Sequence, residues 1–268
     1  MSRRPDGPAP VRPAATVVLA RDGGDGIEVL LLERHARSRM SPGAFAFPGG
    51  RVEPADAWDD VEGTCRGLTT ATAAATLGDG LLGHAAFAYW IAALREAFEE
   101  TGLLFAYGPD GAPFVPGAAE APRFAEHRAR CRADAGAFRA VLFAERLTLA
   151  ADRMAYYAHW ITPEERPVRY DARFFVAAAF PEMTAEPDGT EAVTCRWFRP
   201  AEALAEHGEG RITLPFPTQG ILRSIAEQAD VAALLASAGR RDIRAIRPRL
   251  IRDEGRERLL LPGDAGYF

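Results

Sequence analysis

The segment REAFEETGLL, residues 95–104, puts three glutamates near the end of a predicted helix that spans about residues 84–101. Because residues three and four apart share one face of a helix, Glu96, Glu99 and Glu100 lie within roughly 100° of arc. The opposite side is apolar and carries Phe87, Trp90, Ile91, Leu94 and Phe98. The helix therefore has one side to bury and one acidic side whose charges repel one another.

A solvated acidic face is the ordinary interpretation of such a stripe. Three carboxylates on one rigid face are also oxygen ligands suited to Mg²⁺ or Mn²⁺, which commonly bridge protein carboxylates to substrate phosphates. Upstream, the segment FPGGRVEPAD, residues 47–56, contains Gly49 and Gly50, which permit close backbone approach, and two further carboxylates at Glu53 and Asp56. The two segments together favour a metal and phosphate site.

Together they resemble the signature of the Nudix hydrolases, G-x5-E-x7-R-E-U-x-E-E-x-G-U, in which U is a bulky aliphatic residue. Gly50 opens the pattern, and Asp56 stands at the first acidic place instead of Glu. The second half is matched in register by Arg95, Glu96, Glu99, Glu100, Gly102 and Leu103, with Ala97 at a U position. The resemblance implies a Nudix-type α/β/α sandwich with a mixed sheet.

The spacing inside this signature departs from the family pattern. Between Asp56 and Arg95 lie 38 residues where the pattern has 7. Either the second half is a coincidental match, or a loop is inserted before the helix. We favour an insertion at about residues 57–83, because this stretch is rich in Gly, Ala, Thr and Asp and has weak periodicity. A long surface loop adds little to the free energy of chain closure.

A second motif, LLLERHARSRMSPGAFAFPGG at residues 30–50, resembles the signature of the Nudix coenzyme A diphosphatases. Nine positions match in register, with Leu32 and His35 as departures. The matching residues are Leu30, Leu31, Arg34, Arg39, Gly43, Phe47, Pro48, Gly49 and Gly50. With HWITP (159–163), RYDARFF (169–175) and LPFPT (214–218), the chain looks most like the acyl-CoA diphosphatase branch.

The resemblance implies Mg²⁺- or Mn²⁺-dependent hydrolysis of the diphosphate of coenzyme A or acyl-CoA, which gives 3′,5′-ADP and phosphopantetheine or its acyl form. It implies a metal site made by Glu96, Glu99, Glu100 and the Gly49 carbonyl, with Arg95 orienting the carboxylates. It also places Arg34, Arg39, Gly43 and Phe47 in the substrate-binding set.

The proton acceptor for the attacking water is not settled by the resemblance. Within the family the role moves between box glutamates and a glutamate on a distal loop. Glu96 and Glu191 are our candidates, with Glu99 counted among the catalytic carboxylates, and Glu186 is equally placed in the sequence. A solvated loop residue is the ordinary interpretation of either distal glutamate.

Two other functions stay open at this point. One keeps Nudix chemistry on NADH, ADP-ribose or a dinucleoside polyphosphate. The other is a non-catalytic Nudix-like nucleotide-binding module, which we would expect to have lost the box carboxylates.

Composition narrows the class of protein. The 268 residues carry a net charge of −5, and all 32 basic residues are arginines, which we attribute to coding bias. We expect no nucleic-acid partner, because there is no global basic field, and no membrane span, because no stretch of about 20 apolar residues occurs. Three isolated cysteines predict no disulfide framework and favour a reducing, cytoplasmic location.

The remaining patterns predict one domain. Residues 1–14 are expected to be a flexible arm, and residues 15–268 a single Nudix domain with a helical insertion at about 122–147. The domain is expected to bind a small-molecule substrate and could form a homodimer. Predicted strands cover residues 15–20, 27–34, 155–161, 173–180 and 193–198, and further predicted helices cover 123–147, 200–206 and 217–238.

Overall fold

Two β-rich segments near the start of the chain form the hairpin predicted from sequence. The computed structural model describes residues 7–38, 41–253, 256–265 and 267. In it, β1 (Val11–Gly23) and β2 (Gly26–Arg34) pair antiparallel across a tight reversal. Because β1 begins at Val11, residues 11–14 belong to the sheet and not to the arm expected from their proline content.

These strands lie at the centre of a seven-stranded mixed sheet. The later strands are β3 (Phe45–Ala46), β4 (Gly49–Arg51), β5 (Ala106–Tyr107), β6 (Thr148–Leu149), β7 (Met154–Ile161), β8 (Arg169–Ala178), β9 (Ala192–Phe198), β10 (Arg249–Asp253) and β11 (Arg256–Leu260). The order is β3-β2-β1-β8-β7, with β4 paired to β1 and β9 paired to β2. Strands β1 and β8 run parallel and the other pairs run antiparallel. Two separate two-stranded antiparallel sheets, β5 with β6 and β10 with β11, complete the β-structure of the described residues.

Seven α-helices occur in the described part of the chain. They are α1 (Thr70–Leu77), α2 (Gly83–Thr101), α3 (Ala121–Ala133), α4 (Ala137–Glu145), α5 (Pro200–Gly208), α6 (Phe216–Ile225) and α7 (Val231–Ala238). Helix α2 matches the helix predicted over residues 84–101, and it ends at Gly102, whose φ of +73° provides a left-handed cap. No helix within the described ranges combines the length and apolar character needed to cross a membrane.

The sheet separates two hydrophobic layers. Successive side chains of a strand point to opposite faces, so Val17 and Leu19 of β1 pack in the layer that contains α2, while Val18 and Ala20 pack against α6 and α7. The apolar side of α2 is buried as predicted, and Phe87, Trp90, Ile91, Leu94 and Phe98 are each at most 3% exposed. The result is the predicted α/β/α sandwich.

The insertion at 57–83 differs from the surface loop that we expected. It contains α1, and Trp58, Val61, Ala73 and Leu77 are buried in the layer beside α2. Alanine favours helix formation, and Thr69 caps α1 by accepting the Thr72 N–H at 3.1 Å. Eight residues give too few turns for an apolar period to be visible in the sequence.

Two long predicted helices are each divided in two. The 123–147 helix is interrupted at Asp134, whose carboxylate accepts the Gly136 N–H at 2.9 Å and leads the chain into α4. The 217–238 helix is interrupted before Asp230, which caps α7 by accepting the Ala233 N–H at 2.7 Å. In both cases an aspartate side chain competes with the helical backbone hydrogen bonds.

The end of the 57–83 insertion is tied to the sheet by a network of four charged residues. We call it the anchor network, and its members are Asp79, His159, Asp171 and Arg173. The Arg173 side chain is 1% exposed and donates to Asp79 at 2.9 Å, while His159 hydrogen-bonds Asp171 at 2.6 Å. Burial tends to raise the pKa of Asp171, but the hydrogen bond and charge of His159 outweigh it, so this pKa is lowered. The network therefore balances its charges internally.

Candidate active site

The loop between β3 and β4 lies against the acidic side of α2. The Gly49 N–H donates to Glu100 at 2.9 Å, and the Pro48 carbonyl accepts the Val17 N–H at 2.9 Å. A Cβ on Gly49 would lie 2.6 Å from the Ala15 carbonyl oxygen, and one on Gly50 would overlap the Glu96 carboxylate. A side chain at position 49 would therefore collide with the backbone of β1, and one at position 50 would displace the Glu96 carboxylate. The two halves of the interrupted signature meet in space.

Arg95 links the two halves of the signature through the hydrogen bonds of its buried side chain. It is 2% exposed and donates through Nε and Nη2 to the two Asp56 carboxylate oxygens at 2.8 and 3.0 Å. Its Nη1 donates to Glu96 at 2.9 Å and to Glu99 at 3.1 Å. The Arg51 carbonyl accepts a further bond at 2.9 Å. Arg95 therefore fixes the glutamate side chains, and Asp56 acts as its buried partner.

We call Asp56, Arg95, Glu96, Glu99 and Glu100 the box cluster, and its carboxylates are poorly compensated. Burial raises the pKa of Glu96 to about 7, against the opposing charge of Arg95, and the charges of Glu99 and Glu191 raise it further. Burial also raises the pKa of Glu99, and it raises that of Glu100 well above its usual value. One arginine does not offset this many buried carboxylates.

The cluster opens into a cleft of about 660 Å³. Of the described residues that line it, seven are acidic: Glu53, Glu96, Glu99, Glu100, Asp134, Asp188 and Glu191. Four are arginines: Arg34, Arg51, Arg95 and Arg132. The cleft is thus rich in carboxylate oxygens that carry a net negative charge, and a cation bound there would relieve their repulsion.

The donor chemistry of the cleft fits a hard divalent cation, since Mg²⁺ and Mn²⁺ take oxygen ligands. The side chains as placed do not form a ready-made set: over the described ranges, no three His, Cys, Asp or Glu side chains are grouped to hold a metal ion. Glu96 and Glu99 each direct one carboxylate oxygen at Arg95, and Glu100 accepts the Gly49 N–H. Each carboxylate has a second oxygen to offer.

The structure brings several predicted residues to this cleft. Arg34, at the end of β2, lines it, and the Arg34 charge opposes the rise in the pKa of Glu100. Glu191 lines it too, whereas Glu186 is absent from the described lining and uses its backbone to bond Thr101 and Arg128. Of the two distal glutamates, Glu191 faces the box cluster. Arg39 lies outside the described residues.

Two residues of the substrate-binding set lie elsewhere. Phe47 is 4% exposed and packs in the hydrophobic layer on the other side of the sheet from α2, so its assignment to the substrate is wrong. Gly43 does not line the cleft, and its φ of +68° with an N–H bond to the Arg34 carbonyl at 3.1 Å serves the turn after β2. The motif spacing recorded both residues, but they shape the loop and not the ligand surface.

Sequence reasoning missed the wall formed by the end of α3. Cys131, Arg132 and Asp134 line the cleft opposite the glycine loop, together with Asp188 and Tyr170. No local pattern marks these residues, because their position depends on how α3 packs against α2. The Asp134 helix break was the one signal available, since it ends α3 at the cleft.

Comparison with known proteins supports this geometry. The family described as "NUDT19 Nudix domain" matches residues 11–220. The chain is a Nudix hydrolase. Because the matched range includes the 57–83 insertion and the box cluster, this hydrolase domain extends across the interruption. The first half of the signature therefore belongs with the second half. Membership of a hydrolase family also argues against the alternative of a non-catalytic Nudix-like nucleotide-binding module.

Similar curated proteins include acyl-coenzyme A diphosphatases. The relative from Gallus gallus is 30% identical over an alignment of 253 positions, which covers 77% of this chain and 65% of that protein. The relative from Homo sapiens is 31% identical over an alignment of 277 positions, which covers 87% of this chain and 73% of that protein. This Nudix hydrolase thus spans somewhat less than two thirds of the first relative's length. Among solved structures, a Nudix hydrolase from Alicyclobacillus acidocaldarius aligns with a TM-score of 0.71 at 26% identity, covering 85% of this chain and 96% of that one.

Proposed function

We propose that this Nudix hydrolase cleaves the diphosphate bond of coenzyme A or acyl-CoA, giving 3′,5′-ADP and phosphopantetheine or acyl-phosphopantetheine. The observation that carries the proposal is that Arg34, from the 30–50 motif, and the three box glutamates line one cleft. The names of the two relatives support the same substrate class.

Mg²⁺ or Mn²⁺ would be held by Glu96, Glu99, Glu100 and the Gly49 carbonyl. Bound there, such an ion supplies positive charge to the phosphoryl oxygens and lowers the pKa of a bound water. The raised pKa values of the three glutamates support this assignment, because burial, together with the charge of neighbouring carboxylates, disfavours their charged forms, and a bound cation would favour those forms.

The protein's own residues bind and orient the reactants. Arg34 offers a guanidinium that can make charge-assisted contacts to the diphosphate. Arg95 keeps the carboxylates of Glu96 and Glu99 turned towards one another through its Nη1 bonds. Glu191 and Glu96 are our two candidates to accept the water proton, and of these Glu191 engages neither Arg95 nor the glycine loop among the described hydrogen bonds.

The substrate is tested by a panel. Purified protein is incubated with CoA, several acyl-CoAs, NADH and ADP-ribose, with Mg²⁺ or Mn²⁺, and the products are separated by chromatography. We expect the CoA species to be cleaved fastest, with release of 3′,5′-ADP. Faster cleavage of NADH or ADP-ribose would overturn the substrate class while leaving the chain a Nudix hydrolase.

Arg34 provides a second test of the same proposal. Replacing Arg34 by Gln should raise KM for CoA by about 10- to 100-fold, since a charge-assisted bond to phosphate contributes roughly 1.5–3 kcal/mol. Arg37 is a neighbour on the same segment that does not line the cleft, so Arg37→Gln is the matched control. An unchanged KM in Arg34→Gln would remove Arg34 from the substrate contact.

A further inference from the structure

The loop that carries Glu191 is organised by the side chain of Asp188. The Asp188 side chain is 1% exposed, and its carboxylate accepts the N–H groups of Ala192 at 2.7 Å, Glu191 at 3.1 Å and Thr190 at 3.2 Å. It also accepts the Thr190 hydroxyl. Burial tends to raise the pKa of Asp188, but these hydrogen bonds outweigh it and lower the pKa. The charged carboxylate therefore fixes the backbone on both sides of Glu191.

Asp188 is held in turn by helix α3. Arg132 Nη1 donates to the Asp188 carboxylate and to the Asp188 carbonyl, both at 3.1 Å. One helical turn earlier, Arg128 donates through Nε to the Glu99 carbonyl at 2.9 Å and through Nη2 to the Glu186 carbonyl at 2.8 Å. Helix α3 thus bonds both the end of α2 and the segment that carries Glu191.

The other end of this arrangement is the box cluster. Glu191 lines the cleft, and its charge contributes to the raised pKa values of Glu96, Glu99 and Glu100. The Glu191 carbonyl accepts the His35 N–H at 2.8 Å, which ties the loop to the end of β2. Three elements therefore converge on this one glutamate.

We propose that Asp188 and Arg132 are positioning residues for Glu191, so that the helical insertion sets where this carboxylate stands relative to the box glutamates. The inference rests on the proposed hydrolysis, in which Glu191 is a candidate proton acceptor. It gives the insertion a defined task in the reaction, which neither the family signature nor the names of the relatives assigns.

Arg132 could act differently, because it lines the cleft and could contact a substrate phosphate directly. The two roles predict different kinetics. A positioning residue acts through Glu191, so its loss lowers kcat and has no further effect once Glu191 is absent. A substrate contact raises KM and acts independently of Glu191.

The test is a double-mutant cycle with Arg132→Gln, Glu191→Gln and the double variant, assayed on the best substrate of the wild-type protein with Mn²⁺. We expect Arg132→Gln to lower kcat about tenfold with KM within about twofold, and to add less than about twofold in the Glu191→Gln background. Arg132→Lys, which retains a cation for Asp188, should recover most of the rate. Arg130→Gln, on the exposed side of the same helix, is the matched control and should behave as wild type.

Amide hydrogen exchange gives a second readout that needs no activity. The Glu191 and Ala192 amides should exchange about tenfold faster in Arg132→Gln than in wild type, and at the wild-type rate in Arg130→Gln. Unchanged exchange, additive effects on kcat, or a change confined to KM would each overturn the positioning role. If the wild-type protein cleaves no substrate in the panel, the proposed function fails, while the exchange result still decides whether Arg132 orders the loop.

Discussion

The anchor network and the box cluster are two groups of charged residues that both contact α2, and they differ in how well their acidic and basic groups are balanced. In the anchor network, Arg173 and His159 face Asp79 and Asp171, and the Arg173 guanidinium lies 5.1 Å from the ring of Tyr89 on α2. In the box cluster, Arg95 alone meets Asp56 and two of the three glutamates.

The pKa values report this difference. Burial acts to raise the pKa of carboxyl groups in both places, yet the pKa of Asp171 is lowered by its partners, while that of Glu96 is raised to about 7. A cluster that only holds the fold together pairs each acid with a base. The excess of acid in the box cluster destabilises the fold locally, and the divalent cation that we propose to bind there would relieve this cost.

The largest expected effect is the loss of a box carboxylate. Glu99→Gln should lower kcat for CoA hydrolysis by about 10²–10³-fold, because it removes a proposed ligand of the cation that would stabilise charge on the phosphoryl oxygens. Thermal unfolding should stay near that of wild type, since the amide oxygen of a glutamine can still accept from Arg95. Asp171→Asn is the control from the anchor network and should keep kcat within about twofold. A fully active Glu99→Gln variant would refute the assignment of this cleft.

The second effect concerns the buried arginine. Arg95→Met should lower the free energy of unfolding by about 3–5 kcal/mol, because it leaves the Asp56 carboxylate, 1% exposed, without its two-pronged partner. Arg51→Met breaks the exposed pair with Glu53 and should cost at most about 1 kcal/mol. Urea unfolding of both variants measures the two losses in free energy of unfolding. Equal losses would mean that the hydrogen bonds of Arg95 stabilise the fold no more than the exposed pair does.

The third effect is pH dependence, in which the two clusters differ in sign. The folded-state pKa of Glu96 is about 7, above its ordinary 4.5, so the folded protein binds the extra proton between these values. Without metal, stability should therefore fall as pH rises from 4.5 to 7, by about 3 kcal/mol at most. Glu96→Gln should show a smaller decline, because Glu99 and Glu100, whose pKa values are also raised, still titrate. Denaturant unfolding at several pH values measures the difference, and a decline of the wild-type size in Glu96→Gln would place the titrating group elsewhere.

Asp171 behaves oppositely. Its folded-state pKa is lowered, so its contribution is present above its ordinary pKa of 3.8 and is lost as pH falls through the lowered value. Comparing Asp171→Asn with wild type below pH 4 isolates this contribution, and the variant should be less sensitive to acid. An identical acid transition in both proteins would show that His159 does not stabilise the charged form.

The smallest expected effect is at the edge of the anchor network. The Asp79 side chain is 57% exposed, so Asp79→Asn should cost only about 1 kcal/mol. The loss should appear as faster amide exchange in α1, because Asp79 ties the end of the 57–83 insertion to Arg173. The kcat should not change. A large fall in kcat would mean that the 57–83 insertion affects catalysis in the cleft.

The α2 part of the site was predictable because its signals are local. The spacing of Glu96, Glu99 and Glu100 fixes their common face, and Gly49 and Gly50 mark a close approach that the structure contains. The two strands of the first hairpin also followed from local pattern. These features depend on residues near one another in the chain, whereas the mixed sheet was implied by the family resemblance.

Features that depend on tertiary packing were not predictable in this way. Phe47 belongs to a matching motif, yet its side chain points into the core because of the strand register on either side of it. The 57–83 insertion looked like a loop because its buried residues are few and its helix is short. The pairing of Arg132 with Asp188 joins residues 56 positions apart, which no local period reveals.

Mn²⁺ binding tests the central claim most directly, because it asks whether the acid excess is a cation site without requiring turnover. Titration calorimetry would compare the wild-type protein with Glu99→Gln and with Asp79→Asn. We expect wild type and Asp79→Asn to bind Mn²⁺ alike, and Glu99→Gln to bind at least about tenfold more weakly. Equal Mn²⁺ affinity in all three proteins would contradict a metal site in the box cluster.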